Sequence, residues 1–179
     1  AIELANRHPR VSILRPGPGV GGHCIAVDPW FIVQVAPEIT PLIQTARRVN
    51  DGMPAHVVKM VKRALAEQRK SGAEKHRSGG SVRIACLGLA YKADVGDIRE
   101  SPAIRVIELL RTEGFEVRAY DPYVPMGAVP EQVKSLEAAL NRADVVVVLT
   151  DHTEFRQLRY EELRSKVPVI IDTRHALSQ

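Results

Sequence analysis

The residue best suited to chemistry in this sequence is Cys24, which follows the glycine- and proline-rich stretch Pro16 to His23 in RPGPGVGGHCIAVD. Four glycines and two prolines in those eight residues leave a backbone that a ligand can approach closely. A thiol at the tip of such a loop, beside a histidine, has the surroundings of an exposed nucleophile. A lone cysteine is more often a small buried apolar residue, and composition alone leaves that alternative open.

The residues after Cys24 predict a helix N-terminus close to the thiol. Asp28 and Pro29 are typical of an N-cap and a first helical residue ahead of WFIVQVA. The positive end of that helix and the nearby cation Arg15 would both favour negative charge at the loop. Asp28 is therefore predicted either to cap the helix or to act on a water molecule near the thiol, and the two roles are compatible.

Composition limits the classes of function. The chain has 179 residues with 45% apolar and 26% charged residues, which is enough for one good core and a helical extension. The net charge of +4 suits anionic small molecules, and no basic run with interleaved aromatics indicates nucleic acid. No apolar stretch approaches the ~20 residues of a membrane span. We therefore expect no nucleic-acid partner and no membrane partner.

The cysteines and histidines predict neither a disulfide framework nor a metal site. The two cysteines, Cys24 and Cys86, lie far apart, one in a loop and one in the predicted strand VRIACLGL, so a reducing cytoplasm is the simpler interpretation. Cys86 is predicted to be a core residue. His23 is adjacent to Cys24, but no second closely spaced ligand pair completes a four-ligand set, so no metal is expected.

The first part of the chain is predicted to be helical. The last turns of a helix, Ala1 to Arg7, end at Pro9, and two further helices are expected from Pro41 to about Asp51 and over 55–69. Gly52 and Pro54 are predicted to separate these two helices. The polar, glycine-rich residues 71–81 are typical of a linker and are the best candidates for disorder.

After the linker the pattern changes to short apolar runs that alternate with helical stretches. The runs are VRIACLGL, FEVRAYD, DVVVVLT and VPVIID, and helices are predicted at PAIRVIELLRTEG, around Glu131 to Asn141 and near Tyr160 to Ser165. Continuous apolar strands spaced by helices indicate a parallel sheet covered on both faces. The fold class is therefore α/β, with a Rossmann-like doubly wound parallel sheet over residues 82–179.

Ligands of doubly wound sheets bind beyond the carboxyl ends of the strands, so the residues that follow each run are informative. The first turn, GLAYKADVGDIRESP, is not GxGxxG and offers no dinucleotide cradle, but it supplies the cations Lys92 and Arg99. Surface charge is the alternative for both. Asp121 ends the second strand, where NAD-binding sheets keep a ribose-binding acid, but without the glycine fingerprint it is weak evidence for NAD. The segment 150–152 either lines the same crevice or forms a turn.

Three segments together resemble a known family. GPGVGGHCIAVDPWFIV, GLAYKADVGDIRESPA and IIDTRHAL are similar to the UDP-sugar and GDP-sugar 6-dehydrogenases, most closely the branch that acts on UDP-N-acetyl-D-mannosamine in bacterial polysaccharide synthesis. The resemblance covers nearly the whole chain. It implies that residues 1–50 end a central helical dimerisation domain and carry the cysteine loop, and that 51–179 form a UDP-sugar-binding domain. It further implies that an NAD-binding domain lies upstream and that the enzyme is a homodimer.

The resemblance also implies roles for individual residues. Cys24 is the nucleophile and Asp28 the carboxylate that orients or deprotonates water. Arg99 reaches the active site and, in relatives, the nicotinamide cofactor. The residues expected to bind substrate are His8, Arg10, Arg15, Gly17, Gly19, Gly21, Gly22, Tyr91, Lys92 and Arg174. His8 and Arg10 would do so across the dimer interface, and the glycines would do so through their backbone N–H groups.

The chemistry implied by the family is a four-electron oxidation of a sugar hydroxymethyl group to a carboxylate. Cys24 would attack the intermediate aldehyde to give a thiohemiacetal, and a second hydride transfer would leave a thioester for water to cleave, with two NAD consumed per sugar. UDP-N-acetylglucosamine, UDP-glucose and GDP-mannose remain alternative substrates. A non-catalytic module that binds UDP or dimerises is the alternative from another class. Without an NAD domain the chain alone is expected to be inactive.

Overall fold

The computed structural model describes residues 1–70 and 81–178. The predicted linker, apart from Ser81, lies outside the described residues. Among the described residues no helix is both long and apolar enough to cross a membrane. The elements in chain order are α1 (Ile2–Ala5), α2 (Asp28–Val35), a 3-10 turn (Pro37–Ile39), α3 (Pro41–Lys70), β1 (Arg83–Leu87), α4 (Pro102–Thr112), β2 (Glu116–Tyr120), α5 (Leu136–Leu140), β3 (Val145–Val148), α6 (Thr153–Arg156), α7 (Tyr160–Lys166) and β4 (Val169–Asp172).

The four strands form one parallel sheet in the order β2-β1-β3-β4. Cys86 in β1 lies opposite Ala119 in β2 and Val147 in β3, so β1 is paired on both sides. The chain winds from β1 to β2 in one direction and then crosses to β3 on the other side of β1. This reversal at β1 confirms the predicted doubly wound sheet and places a crevice at the carboxyl ends of β1 and β3.

Side chains that alternate along β1 and β3 cover both faces of the sheet. Ile84 and Cys86 point to the side of α3 and α4, where the largest core cluster lies, and Ala85 and Leu87 pack on the opposite side. Cys86 is fully buried, as predicted. The sequences of these strands are therefore continuous apolar runs, because both faces of the sheet are covered. The opposite core contains Ala139, Ala143, Val146, Val148, Phe155 and Val167.

The prediction of two helices separated by Gly52 and Pro54 is wrong, because one helix runs unbroken from Pro41 to Lys70. Proline lacks the N–H that would bond to the carbonyl four residues earlier, which normally favours a break. Here the turns that follow are held by burial of Val57, Val61 and other apolar side chains against the sheet domain. Tertiary packing therefore outweighs the local preference, and the helix crosses the expected domain boundary at residue 50.

The helix predicted around Glu131 to Asn141 is shorter than expected and begins only at Leu136. The residues before it pair with β2 through backbone hydrogen bonds. The N–H of Val133 donates to the carbonyl of Ala119, and the N–H of Ala119 donates to the carbonyl of Glu131. Ser135 then caps α5 by accepting the N–H of Ala138. The apolar pattern predicted the helix correctly, but not this additional pairing with the sheet.

Candidate functional site

The cysteine loop, which consists of the glycine- and proline-rich residues Pro16 to His23 and of Cys24, packs beside the residues that follow β1 and β4. This is the edge at which ligands of such sheets bind. The N–H of Gly22 donates to the carbonyl of Arg99 at 3.0 Å. The Tyr91 ring lies against Gly22, and the Arg174 side chain lies against Gly17. The loop therefore brings together residues that are separated in the sequence by up to about 150 positions. All of them were predicted as site residues, Arg99 for the cofactor and the others for the substrate.

Cys24 is exposed and lies four residues before α2. The predicted capping arrangement differs in detail, because Asp28 is already the first helical residue and Val27 occupies the N-cap. No described side chain makes a capping hydrogen bond at the start of α2. The N–H groups of Val27 and Asp28 instead donate to the Cys24 carbonyl at 2.9 and 2.8 Å. The turn that starts α2 thus fixes the backbone that carries the thiol, while the Asp28 side chain stays exposed.

The glycines of the loop are explained first by packing within the protein. A Cβ at Gly21 would collide with the Glu100 carbonyl oxygen, and Gly22 has φ +90°, a conformation that side chains disfavour, with Tyr91 alongside. Gly19 lies against Pro102. The N–H of Gly22 donates to the Arg99 carbonyl, and the predicted substrate contact of Gly22 stays a prediction. Substrate contacts of Gly17, Gly19 and Gly21 stay predictions.

A cluster of charges faces the loop from the turn after β1. Arg99 is fixed by Asp97 through its Nε at 3.0 Å and its Nη2 at 2.5 Å. This hydrogen bond, with the Arg99 charge and a contribution from His23, lowers the pKa of Asp97 to about 2. The same pairing raises the pKa of Arg99, and Tyr91 and Cys24 add smaller electrostatic contributions. The guanidinium of Arg99 therefore lies within electrostatic range of the thiol.

A second oriented arginine follows β4. Arg174 donates through Nε and Nη2 to one oxygen of Asp151, at 3.0 and 2.8 Å, and Arg156 donates to the other oxygen at 2.6 Å. Burial tends to raise the pKa of Asp151, but the bond from Arg156 and the charge of Arg174 lower it below its usual range. An ionised Asp151 thus holds Arg174 towards the loop. Arg15 and Arg174 share the wall of an open depression of about 410 Å³.

Of the remaining predicted site residues, Lys92, His8 and Arg10 make no described contact with this cluster, whereas Tyr91 lies against Gly22. Tyr91 is half-buried and Lys92, next to it, is exposed on the turn after β1. His8 and Arg10 lie on the exposed N-terminal segment, where the N–H of Arg10 donates to His8 Nδ1 at 3.2 Å. Their predicted role across a dimer interface stays a prediction. Within residues 1–70 and 81–178 no group of three or more His, Cys, Asp or Glu side chains is arranged to hold a metal ion.

Asp121 supports the strand ends and is not available to a ribose. Its side chain is fully buried and accepts N–H groups of Leu89 and Ala90 at 2.7 and 3.0 Å. It also bonds to Nε2 of His152, whose Nδ1 accepts the N–H of Asp94 at 2.8 Å. A Cβ at Gly88, where a dinucleotide would need close approach, would collide with Thr150. The residues at this strand edge therefore do not fit a dinucleotide cradle, and segment 150–152 builds the turn.

Fold and site together define a nucleotide-binding α/β protein that presents an exposed cysteine at its ligand edge. Residues 85–179 match the family model of the UDP-glucose/GDP-mannose dehydrogenase family, UDP binding domain, and residues 1–52 match the central domain of the same family. The chain belongs to the UDP-glucose/GDP-mannose dehydrogenase family, as the sequence motifs predicted.

Individual relatives show which members of this family the chain is similar to. The chain is 48% identical over 177 residues to an NDP-N-acetyl-D-galactosaminuronic acid dehydrogenase of Ralstonia nicotianae, covering 97% of this chain and 39% of that protein. It is 47% identical over 180 residues to a UDP-N-acetyl-D-mannosamine dehydrogenase of Yersinia pestis, covering 97% and 41%. The solved UDP-D-ManNAc dehydrogenase of Pyrococcus horikoshii superposes with a TM-score of 0.82 at 40% identity, covering 99% and 40%. The chain thus spans about two fifths of the length of these relatives.

Proposed function

We propose that this chain is the UDP-sugar-binding part of an NAD-dependent UDP-N-acetyl-D-mannosamine 6-dehydrogenase. The observation that carries the proposal is that the loop carrying Cys24 contacts two separate segments at one edge of the sheet, Arg99 through Gly22 and Arg174 through Gly17. The relatives' sugars support an N-acetylhexosamine, but identities of 48% and 47% do not separate galactosamine-type from mannosamine-type substrates. UDP-N-acetylglucosamine and UDP-glucose remain alternatives.

The geometry suggests how the nucleotide end would be held. Arg174, oriented by Asp151, and Arg15 present two cations at one depression, which suits a diphosphate. Tyr91 offers an aromatic face beside Gly22, and Lys92 extends from the same turn. We assign the nucleotide diphosphate to this side of the loop, with the sugar directed towards Cys24.

In the proposed reaction Cys24 acts as the nucleophile in the second half of the oxidation. Its Sγ adds to the C6 aldehyde of the bound sugar, and the resulting thiohemiacetal is oxidised to a thioester that water cleaves to the carboxylate. Arg99, held beside the loop by the hydrogen bond from Gly22 to its carbonyl, would stabilise the negative oxygen formed by the attack. Asp28, at the start of α2, is the carboxylate proposed to orient the hydrolytic water.

NAD, when bound, accepts the hydride of each oxidation step. The strand edge of this chain does not fit NAD, because Asp121 is buried and Gly88 abuts Thr150. We therefore propose that the cofactor is held by a separate nicotinamide-binding domain and that Arg99 is the residue of this chain that reaches it. On this basis the chain alone would not turn over.

The assembly and the cellular setting are also proposals. The face of α2 and the start of α3 exposes apolar side chains, among them Phe31 at 61%, Val35 at 86% and Leu42 at 81%. Apolar surface of this extent fits a covered interface, and we assign it to a homodimer. The division into a central domain (1–50) and a UDP-binding domain (51–179), and a cytoplasmic location, stay predictions.

Protection of Cys24 from alkylation tests the proposed site. Saturating UDP-N-acetyl-D-mannosamine is expected to slow the reaction of Cys24 with iodoacetamide at least tenfold, because the sugar would cover the thiol. Peptide mass spectrometry separates the two cysteines. Cys86 is the internal control, since burial keeps its thiol unreactive and raises its pKa. Equal labelling of Cys24 with and without the nucleotide sugar would instead support a non-catalytic module.

A further inference from the structure

Asn50, in the first half of α3, hydrogen-bonds to both backbone groups of one residue of the cysteine loop, Val20. Its Oδ1 accepts the N–H of Val20 at 2.8 Å, and its Nδ2 donates to the carbonyl of Val20 at 3.2 Å. A side-chain amide that pairs with both groups of one residue acts like a neighbouring β-strand. It fixes the orientation of the loop as well as its position, four residues before Cys24.

Two further features bring α3 close to the loop. Pro54 has no N–H for the Asn50 carbonyl, and this carbonyl lies beside Gly19, 3.4 Å from the position that a Cβ would take there. On the other side of Cys24, Nη1 of Arg47 reaches the carbonyl of Ile25 at 3.4 Å. Arg47 is itself held by Asp51 at 2.6 Å and is buried. The same helix therefore contacts the loop before and after the thiol.

The opposite side of the loop is fixed to the sheet domain by the hydrogen bond from Gly22 to Arg99. Cys24 thus lies on a loop that is held between α3 and the turn that carries Arg99. We propose that Asn50 is a positioning residue that keeps Cys24 in register with Arg99 and with the bound sugar. This inference rests on the proposed role of Cys24 as nucleophile, but the contact itself can be tested without that role.

Amide hydrogen exchange tests the contact directly and needs no ligand. In Asn50→Ala we expect residues 20–24 to exchange at least tenfold faster, because the Val20 N–H loses its acceptor and the loop its main contact with α3. The amides of β1 should be unchanged. Gln44→Ala is the matched control, since Gln44 lies on the same helix but bonds to the Pro37 carbonyl and to Arg48. Unchanged loop exchange in Asn50→Ala would overturn the proposal.

A second readout separates positioning from general support of the fold. Asn50→Ala is expected to lower at least fivefold the protection of Cys24 from iodoacetamide by UDP-N-acetyl-D-mannosamine, while calorimetric affinity for UDP changes less than threefold. Asn50→Asp, which keeps an acceptor for the Val20 N–H but loses the donor, should lie between the two. Full protection in both variants, or reactivity of Cys86 in either, would overturn the proposal. Absence of protection in the unaltered chain would contradict the proposed function, and amide exchange would still decide the role of Asn50.

Discussion

Replacing Cys24 with alanine is expected to lower the turnover of sugar to carboxylate by at least about 10³-fold in an enzyme that carries this chain together with a nicotinamide-binding domain. The reason is that the proposed second oxidation proceeds through a covalent adduct of the aldehyde with the Cys24 thiol. Affinity for the nucleotide should change little, because the proposed diphosphate contacts, Arg15 and Arg174, line a depression at the other end of the proposed substrate site. The measurement is steady-state NADH formation with parallel detection of aldehyde and carboxylate.

Cys86→Ala is the control for this experiment. Cys86 is fully buried in β1, so its replacement should reduce stability by about 1 kcal/mol without changing the products formed. Carboxylate formation at an undiminished rate by Cys24→Ala would contradict the role of Cys24. Loss of activity in Cys86→Ala with the fold intact would contradict the assignment of the single reactive thiol.

Replacing Asp121 with alanine is expected to destabilise the chain by about 4 kcal/mol, the largest stability effect we predict. The side chain is fully buried and accepts N–H groups from Leu89, Ala90, Tyr123 and Val124 in addition to bonding His152. Removing it leaves those donors unpaired in the interior, which costs more than an ordinary hydrogen bond. Thermal unfolding should shift down by roughly 10 °C, whereas the exposed control Glu161→Ala should stay within about 0.5 kcal/mol.

Asp121 is also expected to make the stability of the fold depend on pH. Burial tends to raise the pKa of Asp121, but the hydrogen bond from His152 and those from backbone N–H groups hold it at about 2. Because the folded pKa lies below the unfolded value of about 3.9, the stabilisation is present above pH 4 and is lost as the pH falls through 2, on the order of 2 kcal/mol in all. Urea unfolding from pH 5 to pH 2 measures this loss. Asp121→Asn should show a smaller loss over that range, and an identical loss would contradict the assignment.

The sheet could be predicted from sequence because its signal is local. Runs such as DVVVVLT are apolar on both faces only when a strand is covered on both sides, so strand positions and the parallel class were predicted correctly. The continuity of α3 could not be predicted in this way. Local preference at Gly52 and Pro54 indicates a break, and the packing that outweighs it comes from residues far along the chain.

The candidate site likewise contains residues that the sequence predicted and residues that it did not. Glycine patterns, strand ends and family motifs predict Cys24, Tyr91, Arg99 and Arg174 as site residues. The residues that orient these side chains or the loop, Asp97, Asp151 and Asn50, were missed or left undecided. They make contacts with partners up to thirty positions away in the sequence, and no local pattern distinguishes them from other polar residues. The sequence predicts close approach of a ligand at the loop glycines, and the structure adds a separate reason for glycine at Gly21 and Gly22, their contacts with Glu100 and Tyr91.

The most direct test of the central claim is a calorimetric titration of this chain with UDP and, separately, with NAD. The proposed assignment predicts that UDP binds and NAD does not, because the arginines at the depression suit a diphosphate while the strand edge offers no dinucleotide cradle. Arg174→Ala should then weaken UDP binding at least tenfold. Binding of NAD without binding of UDP would contradict the claim and would make this sheet the cofactor domain.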